Sequence, residues 1–178
     1  MMLADCDYRH PDVYALITAA LSVCRTDTEA MPVFVCIGSD RHLLDCFGPL
    51  TGTMLQDSIP GLTVCGTLDH PLHARNLTKE MMLIKRQYPG RTFIAVDAAV
   101  GEATEIGRLQ LRLGPVLPGR AAAKNLPAVG DYSLTAIVGK RGDNINSDPE
   151  SSPGFAHVYH MAKVVRQAVE SWYSLYRQ

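Results

Sequence analysis

Continuous apolar runs that end at a carboxylate constrain the fold of this chain most. Residues 33–37 read Val-Phe-Val-Cys-Ile, and residues 92–96 read Thr-Phe-Ile-Ala-Val. Such runs are typical of strands that are buried on both faces of a sheet. Asp45 lies in the loop after the first run, and Asp97 follows the second run directly. Because loops at the carboxyl ends of parallel strands form the functional crevice, we expect both aspartates in one cleft.

Helical and strand patterns alternate along the rest of the chain. Helices are predicted from Asp12 to Cys24 and over residues 48–58, 74–88 and 155–176. Further strands are predicted over residues 62–65, 107–113 and 134–138, and alternating arginine and leucine favour an edge position for the stretch 107–113. The pattern predicts a single α/β domain over residues 1–178. We expect a three-layer α/β/α sandwich with a mostly parallel sheet of about five strands.

Composition narrows the classes of protein. The net charge is -1 and the sequence pI is about 6.6, so no electrostatic feature favours nucleic acid. No apolar run approaches the roughly 20 residues that a membrane span needs. The five cysteines are odd in number and lack C-x-x-C spacing, which argues against a disulfide framework and a zinc site. A cytoplasmic location is therefore expected.

Other candidates for substrate binding lie in the loops beside the strands. Gly38, Ser39 and Asp40 follow the first strand, but no nucleotide-binding motif accompanies them. His73 lies at or just before the third helix, where it could donate a hydrogen bond to a substrate or simply cap the helix. Asp131 precedes the last strand. It would reach the crevice if that strand were antiparallel, which we favour, and the opposite end if it were parallel.

Two aspartates in one crevice allow two kinds of chemistry. As a pair that shares a proton, Asp45 and Asp97 would activate water against a polarised carbonyl group. If both stay ionised, they would instead hold a divalent metal ion that polarises the carbonyl group or the water. The structural alternative is that each carboxylate caps its own helix or turn.

Several motifs between residues 33 and 138 resemble those of the YyaC-type sporulation proteins of endospore-forming Firmicutes. They are Ile37-Gly-Ser-Asp40, Asp45-Cys-Phe-Gly-Pro-Leu50, the stretch 65–74 with Asn76-Leu77, Ile94-Ala-Val-Asp97, the stretches 114–119 and 124–131, and Leu134-Thr-Ala-Ile137. That family is related to the spore germination protease, an atypical aspartic endopeptidase that degrades small acid-soluble spore proteins. It is more distantly similar to the hydrogenase-maturation endopeptidases, which share a phosphorylase/hydrolase-like α/β/α fold.

The resemblance implies roles for both aspartates. Asp45 matches a catalytic aspartate of the germination protease and a metal-binding glutamate of the hydrogenase-maturation enzymes, and Asp97 matches the second aspartate of both. The hydrogenase enzymes add a histidine ligand. In the YyaC-type pattern we expect a histidine two residues after the Gly-Asp before the last strand, where this chain has Ser133. Residues 140–153 also depart from the family pattern.

The resemblance therefore implies a sporulation-associated endopeptidase, aspartic or metal-assisted, with small acid-soluble spore proteins as candidate substrates and the forespore as a location. The alternative is a non-catalytic sporulation factor that binds a peptide or protein partner in the same crevice. If the chain forms a homo-oligomer, the last helix is the expected contact, through Trp172, Tyr173 and Tyr176.

Overall fold

An α/β architecture, as predicted, is found in the computed structural model, which describes residues 1–24, 30–118, 126–142 and 153–176. These residues contain six strands: β1 (Met2–Asp7), β2 (Val33–Cys36), β3 (Thr63–Cys65), β4 (Phe93–Gly101), β5 (Arg108–Leu113) and β6 (Tyr132–Lys140). They also contain four α-helices: α1 (Val13–Val23), α2 (Phe47–Ser58), α3 (Leu77–Gln87) and α4 (Phe155–Leu175). Short 3-10 helices lie at Leu43–Asp45 and Ala103–Glu105.

The sheet is mixed and has the strand order β1-β5-β6-β4-β2-β3. Strand β2 pairs in parallel with β3 and β4, and β4 pairs in parallel with β6. Strand β5 runs antiparallel to both of its neighbours, β1 and β6. The described part of the chain thus has one strand more than the sequence predicted, because β1 was not anticipated.

Strand β1 also corrects the prediction that residues 107–113 form an edge strand. Since β1 covers β5, the latter lies inside the sheet. The Arg108 guanidinium, which the alternating pattern assigned to solvent, donates to the Asp5 carboxylate of β1 at 2.7 Å. Gln110 is only 7% exposed and accepts from the Arg112 guanidinium at 2.7 Å. The charges that suggested an open edge therefore interact within the sheet.

Two hydrophobic clusters form on alternate residues of β2. Val33, Val35 and Ile37 pack with residues of α3. Phe34 and Cys36 belong to the larger cluster, to which α1, α2 and α4 contribute. This alternation follows from the two-residue repeat of a strand. Because both faces of β2 are buried, its sequence is an uninterrupted apolar run. The candidate site begins at the carboxyl end of this strand.

Helix α4 is buried where the sequence suggested a contact between protein copies. Trp172 is 0% exposed and packs edge-on against Phe34, with ring centroids 6.2 Å apart. Tyr173 is 8% exposed and donates a hydrogen bond to the Pro60 carbonyl oxygen at 3.4 Å. The expectation that these two residues form an oligomer contact is therefore wrong, because they stabilise the chain's own core.

Some predicted features lie outside the described residues. They include Gly119, Lys124 and Asn125 of the family motifs and most of the stretch 140–153 that departs from the family pattern. Among the helices of the described ranges, none has the length and apolarity needed to cross a membrane.

Candidate functional site

The candidate site begins where β2 stops and β4 continues. The last register pair joins Cys36 to Val96, and the Ile37 N–H donates to the Val96 carbonyl oxygen at 2.8 Å. Strand β4 then runs five residues further, to Gly101, paired with β6 alone. Asp97 is therefore the first residue of β4 beyond the register with β2. It lies within the strand, although the sequence predicted that the strand ended at residue 96.

Asp97 belongs to the part of β4 where β2 and β4 separate. The Ala98 N–H donates to Asp97 Oδ1 at 2.9 Å. Burial is the largest effect on the Asp97 carboxyl, the charge of Asp45 is the next, and together they raise its pKa to about 8 against the opposing hydrogen bond from Ala98. Asp97 therefore retains its proton at neutral pH.

Close backbone contacts position Asp45. It ends the short helix Leu43–Asp45, and its carbonyl oxygen accepts from the Ser39 N–H at 3.0 Å. Gly38 has φ +143°, and a Cβ there would lie 2.0 Å from that same oxygen. A Cβ on Gly48 of α2 would lie 2.0 Å from the Ile37 carbonyl oxygen. Glycine at both positions thus allows the Asp45 loop and the start of α2 to lie directly against the end of β2.

The Asp45 carboxyl is also shifted. Burial, the largest effect, raises the pKa of Asp45. The nearby charges of His42 and His73 act in the opposite direction, as does a hydrogen bond from the Ser39 backbone. Because the charge of Asp45 in turn raises the pKa of Asp97, the two carboxyls are close enough to interact. Ionisation of Asp45 therefore disfavours ionisation of Asp97.

A cleft of about 270 Å³ opens beside Asp45. Its walls come from the loops after β2 and β3, and the lining residues are Ser39, Arg41, His42, Asp45, His73, Ala74 and Arg75. Asp97 does not line this cleft, and its connection to the cleft is the charge interaction with Asp45. The cleft therefore offers one carboxylate and several cationic or imidazole groups to a ligand.

His73 lies in the turn before α3, which begins at Leu77 rather than at the predicted residue 74. The His73 N–H donates to Asn76 Oδ1 at 2.9 Å. Its ring Nδ1 accepts from the Arg75 N–H at 3.3 Å, so a neutral ring carries its proton on Nε2. His73 thus lies in the turn before the helix and lines the cleft, while Asn76 is the N-cap residue. A hydrogen bond from His73 to a substrate stays a prediction.

Gly38, Ser39 and Asp40, which follow β2, differ in burial and in their position relative to the cleft. Gly38 is buried at the end of β2, as the close approach of Asp45 requires. Ser39 lines the cleft, and its Oγ accepts from the Arg41 N–H at 3.2 Å. Asp40 is exposed and is not among the residues that line the cleft.

The prediction that Asp131 reaches the crevice is wrong. Strand β6 runs parallel to β4, so Asp131 lies at the amino end of both strands. Its Oδ2 accepts from the Phe93 N–H at 2.8 Å, where β4 begins. Asp131 therefore fastens the opposite end of the sheet.

The ligand set that the hydrogenase-maturation enzymes imply is incomplete here. In the part of the chain that the structure describes, no three His, Cys, Asp or Glu side chains are placed to hold a metal ion. Ser133, at the position where the resemblance implies a histidine, is 5% exposed and pairs with Ala95, two residues before Asp97. A cation in this site would have Asp45 and Asp97 as its protein ligands.

Sequence reasoning missed four residues that line the cleft, namely Arg41, His42, Ala74 and Arg75. Each lies within four residues of Asp45 or His73 in the sequence. Their position in the loops after two adjacent parallel strands was the available signal.

A cleft beside Asp45 at the carboxyl ends of parallel strands defines an α/β protein with a candidate ligand-binding site. The chain belongs to the family described as "Protein of unknown function (DUF1256)", which matches residues 6–168. It is 40% identical over 111 residues to the "Uncharacterized protein YyaC" of Bacillus subtilis (strain 168). That match covers 62% of this chain and 54% of the relative, so the chain spans about half the length of that protein. The predicted YyaC-type resemblance is thereby confirmed.

Proposed function

We propose that the chain is an endopeptidase whose Asp45 and Asp97 share one proton and activate water against a peptide bond. The observation that carries this proposal is the charge interaction of Asp97 with Asp45, which lines an open cleft. Ionised Asp45 accepts a proton from water, and protonated Asp97 donates a hydrogen bond to the carbonyl oxygen under attack. The raised pKa of Asp97, about 8, supports this division of roles.

The proposed biological setting follows the resemblance to the germination protease. Small acid-soluble spore proteins are the candidate substrates, and the forespore cytoplasm is the candidate location. Two hydrophobic clusters, one formed with α3 and the other with α1, α2 and α4, support a three-layer, phosphorylase/hydrolase-like classification.

A metal-assisted form of the reaction is the second candidate. The pKa values of Asp45 and Asp97 are both raised by burial, and a divalent cation held between them would stabilise both ionised carboxylates. In that case Asp45 and Asp97 would hold the ion, which would supply Lewis-acid activation of water. The two forms differ in their response to chelation.

The test measures cleavage of a recombinant small acid-soluble spore protein and of fluorescein-labelled casein by the purified protein. Asp45→Asn and Asp97→Asn are expected to lower the rate by about 10²–10⁴-fold, the usual range for a lost general acid or base. Asp40→Asn is the matched control, because Asp40 is exposed and outside the cleft lining. Cleavage that survives both substitutions would remove the proposal.

Two further arms separate the alternatives. Loss of activity in EDTA, restored by a divalent cation, would assign the metal-assisted mechanism. Binding of the spore protein that persists in both aspartate variants, without turnover by the unsubstituted protein, would assign a non-catalytic binding factor.

A further inference from the structure

Backbone groups of β4 point alternately to its two neighbours. The carbonyl oxygens of Thr92 and Val96 accept from Val33 and Ile37 on the β2 side, each at 2.8 Å. The carbonyl oxygen of Phe93 accepts from Asp131 at 2.8 Å, on the β6 side. In a parallel ladder this alternation continues along the strand, so even-numbered residues of β4 face the β2 side.

Among the described residues, no strand lies beside β4 on that side past Val96, although the short helix Leu43–Asp45 contacts β4. The Ala98 N–H is taken by the Asp97 carboxylate. The Ala98 carbonyl oxygen and both backbone groups of Val100 have no hydrogen-bond partner among the described residues. Residues 97–100 are only partly buried. We call these three unpaired groups of Ala98 and Val100 the β4 ledge.

We propose that the β4 ledge binds the main chain of an extended peptide as an added strand, next to the Asp45–Asp97 pair. This inference rests on the proposed function and names its substrate class: a polypeptide segment held in extended conformation. A single peptide residue could donate its N–H to the Ala98 oxygen and accept from the Val100 N–H. Addition of a peptide to a sheet edge is a recurring mode of recognition in which main-chain hydrogen bonds supply affinity.

The chemistry of the ledge selects a polypeptide. Its free groups are one donor and two acceptors along a strand, which a peptide backbone matches in kind and spacing. The side chains at the ledge are the small Ala98 and Ala99 followed by Val100, without the lysine or proline that commonly protects an open edge. Because Asp97 directly precedes the ledge in β4, a peptide paired there extends toward the Asp97 carboxyl.

The length of the ledge also limits its occupant. Only two residues, Ala98 and Val100, offer free groups, and the strand β2 closes the ledge on one side. So short a segment suits a few residues of bound peptide rather than a continuous sheet formed with a second copy of the chain. Dimer formation is therefore an outcome that the test must be able to detect.

The test uses Val100→Pro, which removes the Val100 N–H without removing a hydrogen bond to β6. The matched control is Val64→Pro on β3, the terminal strand on the other side of the sheet. Since β2 residues of even number face β3 and Phe34 is in register with Val64, the Val64 N–H points away from the sheet. Both variants are built in the Asp45→Asn background, so that binding is measured without cleavage.

The probe is a pool of random decapeptides labelled with fluorescein, with binding followed by polarisation. Val100→Pro is expected to weaken binding about tenfold, and Val64→Pro to change it less than twofold, the loss corresponding to about one backbone hydrogen bond. If the two proline variants bind the decapeptides equally well, or if the Asp45→Asn protein binds none of them, the proposal is overturned. A dimer that Val100→Pro dissolves, seen by light scattering, overturns it in favour of pairing between copies.

Hydrogen exchange keeps the proposal testable if Val100→Pro fails to fold. In the Asp45→Asn protein, the bound decapeptides are expected to slow amide exchange of the segment 97–101 and to leave β3 unchanged. Unaltered exchange of that segment in the complex overturns the proposal. Peptide binding at the ledge without cleavage by the unsubstituted protein would support the ledge and count against the endopeptidase. Cleavage that is unaffected by Val100→Pro would support the endopeptidase and count against the ledge.

Discussion

Replacing Asp97 with asparagine should make the chain's stability less dependent on pH. In the folded protein the Asp97 carboxyl has a pKa of about 8, raised first by burial and then by Asp45, from an ordinary value of 3.8. Between these two values the folded state holds a proton that the unfolded state has released. Stability from this group is therefore fully present below about pH 3.8 and is lost as the pH rises toward and through 8.

The size of the effect follows from the gap between the two pKa values. Each pH unit in this window changes the free energy of unfolding by about 1.4 kcal/mol, so the total is about 5–6 kcal/mol. This is large beside the roughly 5–15 kcal/mol by which a typical domain is stable. Asparagine keeps a carbonyl oxygen to accept the Ala98 N–H but never ionises. Asp97→Asn is therefore expected to be more stable than the unsubstituted protein above pH 8.

The assay is urea unfolding of both proteins at intervals from pH 5 to 9. The stability difference between them should change by about 1.4 kcal/mol per pH unit up to pH 8 and then level off. Asp57→Asn is the control, because Asp57 is exposed on α2 and should leave the pH profile unchanged. Parallel profiles for Asp97→Asn and the unsubstituted protein would refute the reasoning, since Asp97 would then ionise alike in both states.

Two further perturbations test the contacts that bring the site together. Asp45→Asn should lower the pKa of Asp97 but leave it above 3.8, because the effect of burial remains. A ¹³C NMR titration of the Asp97 carboxyl carbon measures this pKa. An unchanged pKa would mean that the two carboxyls do not interact. Gly48→Ala should destabilise the protein by about 3 kcal/mol, since the new Cβ meets the Ile37 carbonyl oxygen, which cannot rotate away. The melting temperature should then fall by about 6–12 °C. Gly154→Ala is its control, with φ -77° and open space at the Cβ, and an equal loss from both would contradict the steric argument.

Much of the sheet was predictable because its central strands carry a strong local signal. The apolar runs at residues 33–37 and 92–96 became β2 and β4, since strands buried on both faces require apolar side chains at every position. The glycine and proline at residues 48 and 49 correctly marked the start of α2, which begins at Phe47. Local pattern therefore identified the two strands whose ends bring Asp45 and Asp97 together.

The remaining features depend on pairings between distant residues. Strand β1 has little apolar pattern, and it is stabilised by β5, about a hundred residues away, through contacts such as Arg108 with Asp5. The direction of β6 likewise determines the position of Asp131, and no local sequence feature indicates that direction. Asp97 was expected to follow the end of a strand because the apolar run stops at residue 96, but β4 continues through its pairing with β6.

The glycine contacts between α2 and the sheet have a consequence for motion. A Cβ on Gly52 would lie 2.0 Å from the Gly66 carbonyl oxygen, so the helix touches the ends of β2 and β3 through backbone atoms at both Gly48 and Gly52. Backbone atoms in such contact cannot yield by changing rotamer. The loop that carries Asp45 is thus coupled to a rigid helix, whereas Asp97 belongs to the central sheet. Changes in the backbone separation of the two aspartates then require the helix to shift as one body, a collective movement that is slower than side-chain rotation.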